Sequence, residues 1–342
     1  MNAPRARVAR RPVHGVLLLD KPLGWSSNDA LQKVKWLLRA EKAGHTGTLD
    51  PLATGVLPLC FGAATKFSQL QLDADKTYEA IARLGIKTST ADAEGEVIEE
   101  RAVQVTDQDL PEVAARYTGL IRQIPPMHSA LKKDGKALYE YARAGIEIER
   151  EAREVTIYAL EMTLVKAQDP QEVVPPAIKM VVQCSKGTYI RTLGEDVGEA
   201  LGCGAHLSAL RRVGTGGFEV TQCVTLEALE AMTEEQRMAC LMPVDSLLVK
   251  HTVVTLDAEN AGRFLSGVRR RGDWADNEQV AVYGPAPVGA MGGTPGTPGT
   301  PGTGGTGAVV VAKVLLGTAH VKAGELIPGR LLSPLEIEQM IR

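Results

Sequence analysis

The most constrained stretch of the chain is residues 44–57, which read GHTGTLDPLATGVL. A single carboxylate, that of Asp50, lies there among glycines, threonines and a proline. Glycine permits backbone torsions closed to other residues and lets a ligand approach the main chain. Because Pro51 disfavours helical torsions at Asp50, the pattern predicts a turn or extended loop that presents the carboxylate. An Asp before a Pro is more often a turn or helix-capping residue, so the local chemistry leaves both roles open.

The composition predicts an ordinary globular protein. The 342 residues are 44% hydrophobic and 23% charged, enough for a substantial core and two domains. The five cysteines and six histidines are scattered, without a C-x-x-C pair, which argues against a disulfide framework and a metal site. The uncharged, largely apolar stretch at residues 51–65 is too short to span a bilayer, and the apolar run at 16–19 is too short for a secretory signal. We therefore expect a cytoplasmic protein without membrane contact. It should be a monomer, since no coiled-coil repeat is present.

The basic residues are clustered although the formal net charge is −3. Neutralisation of phosphates by Lys and Arg supplies most non-specific affinity for nucleic acids, so the net charge alone argues against such a partner. Each cluster by itself indicates only a solvated surface. Because the clusters lie near motif-like segments, together they favour contact with RNA phosphates. They are Lys132, Lys133 and Lys136; Arg211 and Arg212; and Arg269, Arg270 and Arg271.

Apolar periodicity predicts an alternation of short strands and helices. Residues 78–84 alternate as in a half-buried strand that begins with Tyr78. Aromatic residues favour strands, so a core position is the simpler interpretation of Tyr78, although the chain has only 4% aromatic residues. Further strands are predicted at residues 14–19, 155–163 and 177–184, and helices at 29–38, 106–119, 137–144 and 193–201.

A second motif, CSKGTYIRTL, occupies residues 184–193. Gly187 permits a turn, and Tyr189 and Arg191 would project to the same side if the segment is extended. A lone Arg is usually solvated or contacts a phosphate, so the spacing alone does not assign Arg191 a role in a reactive site.

Residues 45–55 resemble, along their whole length, the signature of the bacterial tRNA pseudouridine-55 synthases, the TruB family. The resemblance covers roughly residues 13–246. It implies an α+β fold, in which a mixed, largely antiparallel β-sheet flanked by helices forms a pseudouridine-synthase-like catalytic domain, followed by a small β-rich PUA-like domain. The other similar segments are DKPLGWSS (20–27), KTY (76–78), the motif at 184–193 and CGAHLSALRR (203–212).

The resemblance and the composition together predict the domain organisation. A flexible basic tail (1–12) precedes the catalytic domain (13–248), which contains a basic flap at about 124–152. The PUA-like RNA-binding domain (249–342) follows. It is interrupted at 284–307 by a Gly/Thr/Pro-rich loop with repeated TPG units, whose composition cannot bury enough apolar surface to fold and predicts disorder.

The resemblance also implies roles for individual residues. Asp50 matches the catalytic carboxylate, Arg191 offsets the cost of burying it, and Tyr78 stacks on the target uracil. A further set lines the pocket, fills the vacated base stack or contacts the RNA: His45, Tyr189, Leu210, Asp92, Lys132, Lys133, Arg211 and Arg212. No cofactor or metal is implied, because the product is an isomer of the substrate.

The implied activity is the isomerisation of uridine 55 in the T loop of tRNA. It involves base flipping, cleavage of the glycosidic bond and reattachment through carbon, with the tRNA T arm as partner. Two alternatives stay open. The scaffold could serve as an RNA-binding module without turnover, or the chain could be a glycosidase, although that chemistry usually needs two paired carboxylates.

Overall fold

A computed structural model describes residues 9–129, 131–166, 175–287 and 313–341. The predicted basic tail and the predicted disordered loop lie largely outside the described residues. Within the tail, Arg11 is already anchored, because its guanidinium pairs with Glu234 at 2.7 Å. At the start of the predicted loop, the last strand before it continues to Pro285.

The described residues form two main sheets, two small hairpin sheets and nine α-helices. In chain order the strands are β1 (Gly15–Lys21), β2 (Ala43–His45), β3 (Ala53–Phe61), β4 (Lys76–Leu84), β5 (Ile86–Thr88), β6 (Val97–Glu100), β7 (Gly119–Gln123), β8 (Lys132–Lys133), β9 (Lys136–Ala137), β10 (Arg153–Leu164), β11 (Ala177–Cys184), β12 (Ala205–Thr215), β13 (Phe218–Glu219), β14 (Val224–Thr225), β15 (Thr252–Thr255), β16 (Arg270–Arg271), β17 (Asn277–Pro285), β18 (Lys313–Lys322) and β19 (Glu325–Leu331). The helices are α1 (Ser27–Leu37), α2 (Ser68–Leu72), α3 (Leu110–Arg116), α4 (Leu138–Arg143), α5 (Ile190–Ala200), α6 (Leu226–Ala231), α7 (Glu234–Ala239), α8 (Ala258–Leu265) and α9 (Pro334–Ile341).

The larger sheet has the strand order β14-β1-β3-β12-β4-β11-β10-β7, with β2 and β13 paired at its side. Its pairs are antiparallel except β1 with β14 and β3 with β12. The predicted fold class, a mixed and largely antiparallel sheet flanked by helices, is therefore confirmed. None of the helices in the described part of the chain has the length and apolar character that crossing a bilayer requires.

Strand β3, which follows the Asp50 loop, is covered on both faces. Eight of its nine residues are buried, because Leu57, Leu59 and Phe61 belong to the core beneath the helices while Val56 and Cys60 belong to a second core. A strand buried on both sides has a continuous apolar sequence rather than an alternating one. This explains why residues 53–61 lack the alternation that identified β4.

The second core is shared between the larger sheet and the C-terminal sheet. The C-terminal strands have the order β15-β17-β18-β19-β16, and their buried side chains pack in one cluster with residues of β1 and β3. Helix α9 is tied to the same region, since Lys66 pairs with Glu336 at 2.5 Å and His14 contacts Gln339 at 3.0 Å. The small β-rich C-terminal domain is confirmed. The boundary at residue 248 remains a prediction.

Helix α5 begins earlier than the sequence predicted. It starts at Ile190 rather than 193, so Tyr189 precedes the helix and Arg191 lies in its first turn. The segment is therefore not extended at Arg191, and the condition for both side chains to project to one side of a strand is not met. The two residues nevertheless line the same cavity, because Tyr189 keeps extended torsions and the helix turns Arg191 toward it.

A substitution of Gly55 tests how closely β3 approaches β12. Its φ is +99°, and a Cβ atom there would lie 2.2 Å from the carbonyl oxygen of Arg212. We expect Gly55→Ala to lower the free energy of unfolding by about 3 kcal/mol or more, from the strained φ and the backbone clash. The measurement is urea unfolding followed by circular dichroism.

The control for this substitution is Gly44→Ala. Gly44 lies in the same motif, has no positive φ and has open space where a Cβ would stand. Its substitution should leave the unfolding midpoint close to that of the wild type. Equal midpoints for the two variants would show that the β3–β12 approach does not require glycine.

Candidate active site

The Asp50 loop, defined as residues 46–52, joins β2 to β3. Strands β2 and β3 pair antiparallel, and the amide of Thr46 donates to the carbonyl of Pro58 at 3.1 Å, which closes the base of the loop. The carbonyl of Asp50 accepts from the amide of Ala53 at 3.0 Å. Asp50 thus lies in a turn directly before a buried strand, as its position before Pro51 predicted.

The guanidinium of Arg191 holds two carboxylates. Its Nη2 lies 2.9 Å from Asp50 Oδ2, and its Nη1 lies 3.3 Å from Asp92 Oδ2. The side chain of Arg191 is 6% exposed and that of Asp92 3%, whereas Asp50 is 40% exposed. One cation therefore links a solvent-accessible carboxylate to a buried one. The sequence resemblance predicted all three residues, and the fold brings them together.

Two backbone carbonyls complete the surroundings of the guanidinium. Arg191 donates from Nη1 to the carbonyl of Thr90 at 3.3 Å and from Nη2 to that of His128 at 2.7 Å. His128 belongs to the segment predicted as a flap. Since both nitrogens are engaged with carboxylate and carbonyl oxygens, the guanidinium is held in one orientation toward Asp50.

Asp92 is fixed by its own loop. Its Oδ1 accepts from the hydroxyl of Thr90 at 2.5 Å and from the amide of Glu94 at 3.1 Å, while its carbonyl accepts from the hydroxyl of Thr88 at 2.6 Å. A buried carboxylate requires such partners. The carboxylate of Asp92 is therefore held in place beside Arg191, and its contact with the substrate remains a prediction.

The electrostatic environment raises the pKa of Asp50. Burial is the largest cause, the guanidinium of Arg191 opposes it, and the negative charge of Asp92 adds to it. Burial and the charge of Asp92 together outweigh the neighbouring cations, so Arg191 opposes the rise in the pKa of Asp50 without cancelling it.

Lys21 is a member of the site that the sequence reasoning missed. Its charge favours the ionised form of Asp50, and its side chain is fully buried, donating to the carbonyls of Pro22 and Trp25 at 3.0 and 2.5 Å. Burial lowers the pKa of Lys21 to about 8. The available signal was a lysine at the end of a buried apolar strand.

A cavity of about 240 Å³ adjoins the Asp50–Arg191 pair. Tyr78, Tyr189, Leu210 and Arg212 line it together with that pair, so six of the predicted site residues share one cavity. Burial raises the pKa of both tyrosines, which keeps their phenols protonated at neutral pH. Two hydrogen bonds to the side-chain amide of Gln123, at 3.1 and 3.3 Å, fix the backbone of Tyr189. The cavity has an aromatic wall and an ionic rim.

His45 lies beside a second cavity of about 440 Å³, which Asp50 and Arg191 also line. It does not line the cavity of Tyr78 and Tyr189. Burial is the main cause that lowers the pKa of His45, and its Nδ1 has no hydrogen-bond partner among the described residues. The imidazole at the entrance of the Asp50 loop is therefore neutral at physiological pH.

The basic residues that were predicted to contact RNA differ in exposure and in their partners. Lys132 and Lys133 are exposed on the β8–β9 hairpin. Arg211 forms a bidentate pair with Asp20 at 3.0 and 2.6 Å. Arg212 is only 1% exposed and donates to the carbonyls of residues 47 and 56. The expectation that Arg212 is exposed was wrong, because its guanidinium supports the Asp50 loop from within the core. Since Arg212 lines the cavity of Tyr78, its contact with the substrate remains a prediction.

No group of His, Cys, Asp and Glu side chains within the described ranges comes together in a way that could hold a metal ion. The site thus contains a partly exposed carboxylate with a raised pKa, a fixed guanidinium, and a cavity of about 240 Å³ that is lined by two tyrosines. Such a site suits catalysis by the carboxylate at a ligand whose flat ring stacks on tyrosine.

Known proteins resemble this chain in sequence and in fold. The sequence matches two family models, one described as TruB family pseudouridylate synthase (N terminal domain) over residues 35–190, and one described as tRNA pseudouridylate synthase B C-terminal domain over residues 191–249. The tRNA pseudouridine synthase B of Verminephrobacter eiseniae (strain EF01-2) is 60% identical over 342 residues, which cover 99% of this chain and 95% of that protein.

Two solved structures are similar in fold. The crystal structure of a Cbf5-Nop10-Gar1 complex matches with a TM-score of 0.58 and 28% identity, over 79% of this chain and 75% of that chain. The structure of an H/ACA RNP bound to a substrate RNA containing 2'-deoxyuridine matches with a TM-score of 0.61 and 21% identity, over 94% and 86%. The second match extends the agreement in fold to most of the chain.

The pKa of Asp50 should respond to Arg191. We expect Arg191→Gln to raise this pKa further, because the guanidinium is the largest influence that opposes burial. Asp50 then stays protonated to a higher pH than in the wild type. The measurement is a carbon-13 NMR titration of Asp side-chain carboxyls, with the Asp50 resonance assigned from Asp50→Asn.

Arg211→Gln provides the matched control, since Arg211 pairs with Asp20 and is not among the groups that shift the pKa of Asp50. It should leave the titration of Asp50 unchanged. An Asp50 pKa that is unchanged or lower in Arg191→Gln would contradict the electrostatic coupling.

Proposed function

Because this chain belongs to the TruB family of pseudouridylate synthases and is an enzyme that isomerises uridine in tRNA, we propose that its target is uridine 55 in the T loop and that Asp50 is the catalytic carboxylate. The observation that carries the proposal is the 2.9 Å pair between Asp50 and Arg191 at the rim of an aromatic cavity of about 240 Å³. Of the carboxylates bound to Arg191, Asp50 is the solvent-accessible one.

The reaction breaks the bond between the anomeric carbon of the ribose and N1 of uracil. The base then turns, C5 bonds to the same carbon, the proton on C5 is released to solvent, and N1 takes up a proton, so that the product is an isomer of the substrate. Three roles for the carboxylate of Asp50 fit the site: attack on the anomeric carbon, stabilisation of positive charge there, or removal of a neighbouring proton. All three need the ionised form, which Arg191 and Lys21 favour against the effect of burial.

The target uridine has to leave the RNA stack to reach Asp50, at a cost of a few kcal/mol. Tyr78 offers a flat face on which uracil can stack, and Leu210 and Tyr189 close the sides of the cavity. The neutral imidazole of His45 is the candidate to fill the space that the base leaves. Lys132 and Lys133 are the exposed charges of the flap that suit the phosphates of the T arm. The monomeric state remains a prediction.

The two alternatives fit the geometry less well. A glycosidase needs two carboxylates that flank the sugar, and the second carboxylate here, that of Asp92, is 3% exposed and bound to Arg191. An RNA-binding module without turnover has no need of a carboxylate with a raised pKa beside a fixed guanidinium. Release of tritium from C5 of a labelled uridine distinguishes the enzyme from such a module.

T-arm RNA with tritium at C5 of uridine 55 tests both the position and the residue. The wild type should release tritium, whereas Asp50→Asn should be slower by more than about 1,000-fold, because the amide cannot replace the ionised carboxylate. The control is Asp107→Asn, an exposed carboxylate paired with Lys166, which should release tritium at the wild-type rate.

Each other outcome has a distinct meaning. Equal release by wild type and Asp50→Asn would exclude Asp50 as the catalyst. RNA binding by the wild type without release would favour the binding module. Equal release from an RNA labelled instead at a uridine outside position 55 would contradict the proposed position.

Substitutions of Tyr78 test the stacking role. Tyr78→Leu should lower the single-turnover rate by about 10- to 100-fold, since stacking of one base on an aromatic ring is worth about 1–3 kcal/mol. Tyr78→Phe keeps the ring and should fall between the wild type and Tyr78→Leu. The rate of tritium release under enzyme excess gives the order, and a wild-type rate for Tyr78→Leu would contradict the assignment.

A further inference from the structure

Ser27 makes two hydrogen bonds to the residue that precedes Asp50. Its hydroxyl accepts from the amide of Leu49 at 2.7 Å and donates to the carbonyl of Leu49 at 3.1 Å. Ser27 is 1% exposed and Leu49 is 4% exposed, so neither backbone group of Leu49 has water as an alternative partner. A single hydroxyl thus forms hydrogen bonds with both the amide and the carbonyl of Leu49.

The same segment also holds the residue after Asp50. The amide of Gly24 donates to the carbonyl of Pro51 at 2.9 Å. Leu49 and Pro51 are therefore both anchored to the turn and helix start at residues 24–27, and Asp50 lies between the two anchors. The side chain of Leu49 adds a third restraint, because it packs in the core beneath the helices.

Helix capping does not explain the hydroxyl of Ser27. The N-cap of α1 is Ser26, whose hydroxyl accepts from the amide of Asp29 at 3.1 Å and donates to its carboxylate at 2.6 Å. Ser27 is the first residue within the helix, and its hydroxyl bonds only to the Asp50 loop among the described residues. The adjacent serines therefore have separate tasks, one for the helix and one for the loop.

We propose that Ser27 is a positioning residue for Asp50, which sets the distance of its carboxylate from Arg191 and from the ribose of the bound uridine. The inference rests on the proposed catalytic role of Asp50. Without the hydroxyl, two buried backbone groups of Leu49 lose their partner, and the loop relaxes to recover hydrogen bonds. Displacement of a catalytic group by about 1 Å can cost on the order of 100-fold in rate.

The test compares variants in single-turnover tritium release and in RNA binding. Ser27→Ala should lower the rate about 10- to 100-fold and leave the Kd for T-arm RNA within about threefold of the wild type, because the residue acts on the reacting geometry and not on the RNA. Ser27→Thr retains the hydroxyl and should recover most of the rate. Ser27→Cys fills the site with a weak hydrogen-bonding thiol and should be slow without leaving a cavity.

Ser26→Ala is the matched control. It removes the cap of the same helix, so the melting temperature should fall while rate and Kd stay unchanged. If Ser27→Ala does not fold, Ser27→Cys decides the question, with folding checked by circular dichroism. A rate within twofold of the wild type for folded Ser27→Ala, or for Ser27→Cys where Ser27→Ala does not fold, would overturn the proposal. An equal rate loss in Ser26→Ala or a loss confined to Kd would overturn it as well. Absence of tritium release by the wild type would instead refute the proposed function.

Discussion

The site depends on one buried guanidinium that is shared between two carboxylates of unequal exposure. Arg191 binds Asp92, which is fixed by its own loop, and through that fixed geometry meets Asp50 at 2.9 Å. Burial still raises the pKa of Asp50, so the arginine reduces the cost of ionisation without removing it. The carboxylate of Asp50 therefore stays accessible to solvent and able to ionise beside an aromatic cavity. The proposed reaction at a flipped nucleoside requires such a carboxylate.

The loop that carries Asp50 is restrained from several sides by the fold. Arg212 donates to loop and strand carbonyls from within the core, and Ser27 holds the backbone of Leu49. Strand β3, which follows, is buried between the helix-covered core and a second core shared with the C-terminal sheet. The C-terminal domain therefore covers the reverse side of the strand that supports the site. The geometry of the candidate site and the packing of the two sheets are linked through β3.

Several features were accessible from the sequence because they are local. The turn at Asp50 follows from Pro51 and the surrounding glycines, and the strand of Tyr78 follows from its alternation. Others were not. Tertiary packing determines the start of α5 at Ile190 and the burial of Lys21 and Arg212. Because basic residues are usually exposed, the sequence predicted that these side chains face solvent. The sequence of β3 likewise shows no alternation of apolar and polar residues, because both faces of the strand are buried.

By itself the sequence determined which reactive groups are present: one carboxylate in a glycine-rich loop, an arginine after a turn and a tyrosine at the start of a strand. Its motifs also indicated the family. Only the tertiary structure decided which charges meet. Asp50, Asp92 and Arg191 come from different loops and a helix start, and their distances are set by strand order and register rather than by separation along the chain. Electrostatic coupling depends on distance and burial, which no local pattern encodes.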